Sequence, residues 1–368
     1  MKNDLSTRID TYYKLNTHLI YLDNEQLNSR FGDKSNTRGW GENHVIKFGK
    51  SKVFVKRIPV TDLEYKHMFS TKNLYDLPTY YNYGVGSAGF GVFRELLTHI
   101  RTTNWVLQGA IESFPLMYHY RILPRSGEKV DLDMDWYSRY VKYWNGNEDI
   151  GRYIIDRTNA KYEVALFLEY IPYQFSKWFE KNIDHLNAFI NEVLDTLTFL
   201  RKNGIIHFDV HFNNIVTDGN KPYLTDFGLV LDRRFDLRET ERMFFRKNTY
   251  YDYGEFLSCF GEHLLSMYRG LAKTKKKKIM EKYGMKGDER YPEFFIPLLE
   301  NISEICADGF MMLDKNYLEV VIKYRAIIIL MLEFFGDMTQ NDEKDTKYSD
   351  TKLKRLLQAT EILDGRTS

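Results

Sequence analysis

The chain has 368 residues, 43% hydrophobic and 15% aromatic, ample for a large core, with 52 Lys and Arg against 51 Asp and Glu. A formal net charge of +1 gives no global electrostatic reason to expect nucleic acid or an anionic membrane as partner. Two cysteines, Cys259 and Cys306, exclude a disulfide framework, and no apolar run approaches the roughly 20 residues that span a bilayer. The opening MKNDLSTRID lacks the apolar stretch of a secretory signal, so a soluble, cytoplasmic protein is expected.

Residues 1–38 are polar and read as an N-terminal extension. Val45–Phe48, a turn at Gly49-Lys50 and Val53–Lys56 read as a β-hairpin. Residues 59–90 lack periodicity and read as an insertion. FRELLTHIRTTNWVLQGAI places apolar residues at helical intervals, and Pro115–Ile122 reads as a strand. Residues 124–160, charged and rich in Tyr and Gly, read as a second insertion, with Trp136 and Trp144 either exposed or pinning it down. Val164–Tyr170 is a buried strand stopped by Pro172. Helical patterns dominate thereafter, apart from a strand–turn–strand near 215–224. The composition shifts from β-rich to α-rich near residue 171, the expected boundary between 39–171 and 172–368. The basic run Lys273–Lys278 reads as a solvated helix face.

The strongest signal is GIIHFDVHFNNIVTDGNKPYLTDFGLVLD, residues 204–232. It sets Asn214 five residues, and Asp226-Phe227-Gly228 seventeen, beyond Asp209. Phosphoryl transfer needs a carboxylate to orient a hydroxyl and accept its proton, and hard oxygen ligands for Mg²⁺. The stretch resembles the catalytic and metal-binding loops of the protein-kinase-like superfamily. The resemblance implies a bilobal α+β fold, with a β-rich N-terminal lobe and a helical C-terminal lobe, that uses ATP and Mg²⁺. Position by position it implies Asp209 as catalytic base and Asn214 and Asp226 as metal ligands. Lys56 matches the lysine on the α- and β-phosphates, with Glu95 its partner and Glu64 the alternative. Glu169 and Ile171 match the segment whose backbone binds adenine. Gly39-Trp40-Gly41 offers two of the three glycines of a phosphate loop, because His44 stands at the third, and a plain hairpin turn is the competing reading.

Three departures mark an atypical member. Phe208 replaces the arginine that pairs with a phosphorylated activation loop, which implies activity without loop phosphorylation. His211 replaces a lysine, as in the aminoglycoside and choline kinase branch, where imidazole could meet the γ-phosphate or a metal; a structural histidine is the equal alternative. No A-P-E follows Gly228, and the next helix is expected near Asp252, itself matching a buried aspartate beneath the catalytic loop. Asp226-Phe227-Gly228-Leu229, however, has the protein-kinase form. The acceptor is therefore expected to be a serine or threonine hydroxyl on protein, as in bacterial-type kinases. A small-molecule hydroxyl and a non-catalytic scaffold are the alternatives.

Overall fold

A computed structural model describes residues 4–31, 36–37, 42–125 and 132–363. The protein is α+β, dividing into two compact units: Met1–Tyr173 with Val216–Phe245, and Gln174–Ile215 with Arg246–Ser368. The segment carrying Asp226 thus belongs with the N-terminal unit.

In the first unit, α1 (Leu5–Ile20) and α2 (Asn24–Asn28) precede the short strand β1 (Asn36–Thr37). Asp4 and Asp23 cap the two helices by accepting the amides of Thr7 and Gln26. β2 (Glu42–Phe48) and β3 (Ser51–Val60) form the expected hairpin, turning at Gly49 with φ 59°, a backbone that suits glycine. After α3 (Asp62–Lys66), α4 (Val92–Leu107) and β4 (Met117–Pro124), the charged insertion folds into α5 (Met134–Tyr143) and α6 (Glu148–Thr158). β5 (Tyr162–Glu169) completes an antiparallel sheet of order β1-β2-β3-β5-β4.

Register explains the inside of this unit. Lys56 lies opposite Leu166, and Phe54 opposite Leu168. Side chains alternate across a strand, so Phe54, Lys56 and Ile58 share one face. That face packs on Val92, Phe93 and Leu96 of α4, which places a lysine at the margin of an apolar layer. Trp144 is fully buried among Tyr80, Tyr81, Tyr140 and Tyr143, so the second insertion is pinned down; Trp136 is half-buried, stacked on Tyr140. The helix expected to reach Ile111 stops at Leu107, followed by Gly109 with φ 70°.

The second unit is helical: α7 (Phe175–Trp178), α8 (Leu186–Lys202), α10 (Tyr251–Arg269), α11 (Lys273–Tyr283), α12 (Pro292–Glu300), α13 (Ile302–Ala307), α14 (Lys315–Gln340) and α15 (Asp350–Ala359). One further helix, α9 (Glu239–Lys247), lies between α8 and α10 and was not expected; the first helix after Gly228 therefore begins eleven residues on, not near Asp252. α10 and α14 pack so closely that a Cβ on Gly254 would meet Met331 Sδ at 2.7 Å, and one on Gly261 would overlap Ile328. Among the described residues no helix is long and apolar enough to cross a membrane.

Candidate active site

Within the first unit, Lys56 Nζ lies 2.7 Å from Glu95 Oε1 and 2.8 Å from Asp226 Oδ1. A helix residue and a loop residue thus converge on the ammonium of one strand lysine. Burial opposes the charged lysine, but Asp226 and Glu95 outweigh it and hold its pKa above the ordinary value. Burial likewise pushes Glu95 up, against the pull of Lys56. Glu64 does not compete for Lys56. Its Oε2 completes a capping box on the Thr61 amide, while Oε1 accepts the first amide of α4, that of Val92, at 3.0 Å.

The loop behind Asp226 is tightly built. Asp226 has φ 64°, an uncommon conformation for a non-glycine residue that aims its carboxylate at Lys56. A Cβ on Gly228 would sit 3.3 Å from Asp226 Oδ1 and 3.4 Å from Glu95 Oε2, so the close approach favours glycine there. Phe227 is buried, edge-on to His99 and tilted against Phe114.

At the end of β5, the Glu169 carboxylate is gripped by an unexpected partner. Arg8 of α1 donates through Nε to Oε1 at 3.0 Å and through Nη2 to Oε2 at 2.8 Å. Its remaining N–H groups reach the carbonyls of Glu112 and Phe114. This two-pronged pair is buried and ties the N-terminal helix to the strand that leads into Ile171. Ile171 lies just past β5 and is half-buried. Gly39 and Gly41 lie outside the described residues.

In the second unit the loop carrying Asp209 is held from α10. Asp252 accepts the amides of His207 at 2.8 Å and Phe208 at 2.9 Å, and Glu255 accepts that of Val210 at 2.7 Å. Phe208 takes φ 63° and is buried against Tyr251. A bulky residue in that region stores strain, which this doubly bonded backbone withstands. Asn214 Nδ2 donates to Asp209 Oδ2 at 2.7 Å and to its carbonyl at 3.0 Å. His211 Nδ1 accepts the Asn213 amide at 3.2 Å, so the neutral ring carries its proton on Nε2, which lies 3.5 Å from Asp209 Oδ1. That separation suits electrostatic attraction better than a firm hydrogen bond. Sequence reasoning missed Glu255; its position one turn beyond Asp252 on a helix was the available clue.

The donor chemistry fits Mg²⁺. Each unit separately offers an oxygen of that kind: Asp226 is a part-exposed carboxylate in the first, and in the second Asn214, committed through Nδ2, keeps its carbonyl oxygen as the other end of the amide. Among the described residues no group of three or more His, Cys, Asp or Glu forms a metal site by itself. An ion that shares its shell with phosphate and water needs only one or two protein oxygens.

Burial pushes Asp252 up to about 7 despite its two amide donors, and pushes Glu255 up as well. A native carboxyl that holds its proton more tightly than the unfolded chain stabilises most below the unfolded pKa, and loses that contribution as pH rises through the native one. Stability should therefore fall between pH 4 and 7, by on the order of 3–4 kcal/mol from Asp252 alone. Urea unfolding at pH 5 and pH 8 checks this, and Asp252→Asn should flatten the slope. An unchanged slope in that variant would remove Asp252 as the cause.

No family model and no curated protein matches the sequence. Among solved structures, the chain is similar to WaaP in complex with acyl carrier protein, at 10% sequence identity and a TM-score of 0.33, over 78% of this chain and 92% of that one. A likeness at that level carries no weight for function.

Proposed function

We propose that the chain is an ATP- and Mg²⁺-dependent phosphotransferase that moves the γ-phosphate of ATP to a hydroxyl, on a protein side chain. The observation that supports this best is the convergence of Glu95 and Asp226 on Lys56, residues 39 and 170 positions from that lysine in the chain. An isolated buried lysine would be costly. One held between two carboxylates suits a site whose task is to gather phosphate charge.

In this reading Lys56 binds the α- and β-phosphates and Glu95 fixes its direction. The backbone of Glu169 and Ile171 takes the adenine, and Gly39 and Gly41 border the phosphates. Asp226 and Asn214 are the oxygen donors for Mg²⁺, which supplies neutralisation of phosphate charge when bound. Asp209 orients the acceptor hydroxyl. With Oδ2 accepting from Asn214, Oδ1 is the oxygen assigned to the hydroxyl proton. The acceptor oxygen bonds to the γ-phosphorus as the bond to the bridging oxygen of ADP breaks, and His211 beside Oδ1 tunes that carboxylate or meets the departing phosphoryl oxygens. Positioning and electrostatics supply the acceleration.

A small-molecule acceptor is the second reading, favoured by the short run between Gly228 and α9, which leaves little chain for a peptide platform. Incubation with γ-labelled ATP and Mg²⁺, with and without cell lysate, tests both. Label in protein bands supports the first and label confined to small molecules the second. Absence of transfer and of ATP binding would sink the phosphotransferase reading.

A further inference from the structure

The chain after Gly228 is fastened along its length to the first insertion and to α4, all within the first unit. The Phe90 amide donates to the Gly228 carbonyl at 2.9 Å, and Asn82 Nδ2 to that of Leu229 at 2.9 Å. A Cβ on Gly89 would sit 3.1 Å from the same Gly228 oxygen, so the two backbones meet at close range. Further on, the Asp236 amide donates to Thr71 Oγ1 at 2.8 Å, and Arg238 pairs with Asp76 and reaches the Asn73 carbonyl.

The centre of this arrangement is an ion pair. Arg94 Nη2 lies 2.7 Å from Glu241 Oε1, both side chains are 1% exposed, and Arg94 Nε donates to the Thr71 carbonyl. Its guanidinium also covers the rings of Phe90 and Phe235. Glu241 Oε2 accepts the Arg238 amide in turn. One guanidinium therefore ties the insertion, α4 and the start of α9 together. Arg94 adjoins Glu95, so whatever holds Arg94 also bears on the partner of Lys56.

We propose that residues 71–94 form a built-in clasp holding the segment after Asp226 in its working position, with Arg94 and Glu241 as its positioning pair. Glu241 supplies Arg94 with a permanent, buried counter-charge from the chain itself. The inference rests on the phosphotransferase reading for its consequence, but the clasp has a physical readout of its own.

The test uses the full chain, treated with phosphatase until its mass shows no phosphate, beside Glu241→Gln and Arg94→Met. Amide hydrogen exchange over residues 229–245 and the initial rate of Mg-ATP turnover are both measured. Untreated and treated protein should show the same slow exchange and the same rate. The variants should exchange roughly tenfold faster there, and lose roughly tenfold in kcat with KM for Mg-ATP nearly unchanged. Glu241→Asp should recover part of both. General destabilisation would instead speed exchange throughout and spare that split. Where Arg94→Met does not fold, Asn82→Ala removes one tether and is read in the same way. Variants that exchange as slowly as the parent, or a parent that loses protection on phosphatase treatment, would overturn the clasp. If the parent binds no Mg-ATP, the phosphotransferase reading fails, while the exchange comparison still decides the clasp.

Discussion

Replacing Asp209 with Asn is expected to lower kcat by roughly 10²–10⁴ while leaving Mg-ATP affinity nearly intact. The magnitude is that of a general base lost from a transition state in which the acceptor proton is moving. The selectivity follows from how the loop is held. Its backbone is fixed by Asp252 and Glu255 through three amides, none of which involves the Asp209 side chain. An asparagine at 209 can turn its carbonyl oxygen toward Asn214 Nδ2, so the contact now made at 2.7 Å survives. What disappears is the capacity to take a proton. Single-turnover transfer and nucleotide titration separate the two effects, and full activity in Asp209→Asn would remove Asp209 as base.

Much of this loop was legible because its signals are local. Asp209 and Asn214 are separated by five residues, and a histidine two before Asp209 bonds its amide at 3.2 Å. The β2–β3 hairpin was legible for the same reason, since alternation and a Gly turn are short-range. The grip of Arg8 on Glu169, 161 residues away, left no such trace. An arginine on a polar helix ordinarily faces water, and only the fold shows that this one is buried. Arg94 and Glu241, 147 residues apart, are invisible in sequence for the same reason. Glu95 could be preferred over Glu64 only by accepting a long insertion; the structure adds that Glu64 is occupied in capping α3 and α4. Burial of α9 is also weakly encoded: among its residues only Glu241 is buried, an inversion of the usual apolar stripe. A buried ion pair to Arg94 and a ring contact between Phe244 and Tyr83 anchor that helix.

Lys56→Met should weaken Mg-ATP binding by one to two orders of magnitude and also destabilise the first unit, and the two losses have one cause. The ammonium is the shared counter-charge of Glu95 and Asp226. Removing it leaves two carboxylates facing one another, one of them nearly buried at 6% exposure. Breaking a buried pair from one side costs about 3–5 kcal/mol; the 16% exposure of Lys56 places this case at or below the lower end. Glu95, already pushed upward by burial, would then retain its proton to higher pH, so the variant should recover stability as pH falls. Adding Glu95→Gln to Lys56→Met should return part of the stability, because the uncompensated charge is gone, but none of the ATP affinity. A double-mutant cycle on unfolding free energy should therefore give a coupling of about 1–3 kcal/mol. The same cycle on Mg-ATP affinity should show the Glu95 effect vanish once Lys56 is absent, since the proposed role of Glu95 is to hold that lysine, which it meets at 2.7 Å. Equal Mg-ATP affinity in Lys56→Met and the parent protein would break the link between this ion-paired trio and the nucleotide.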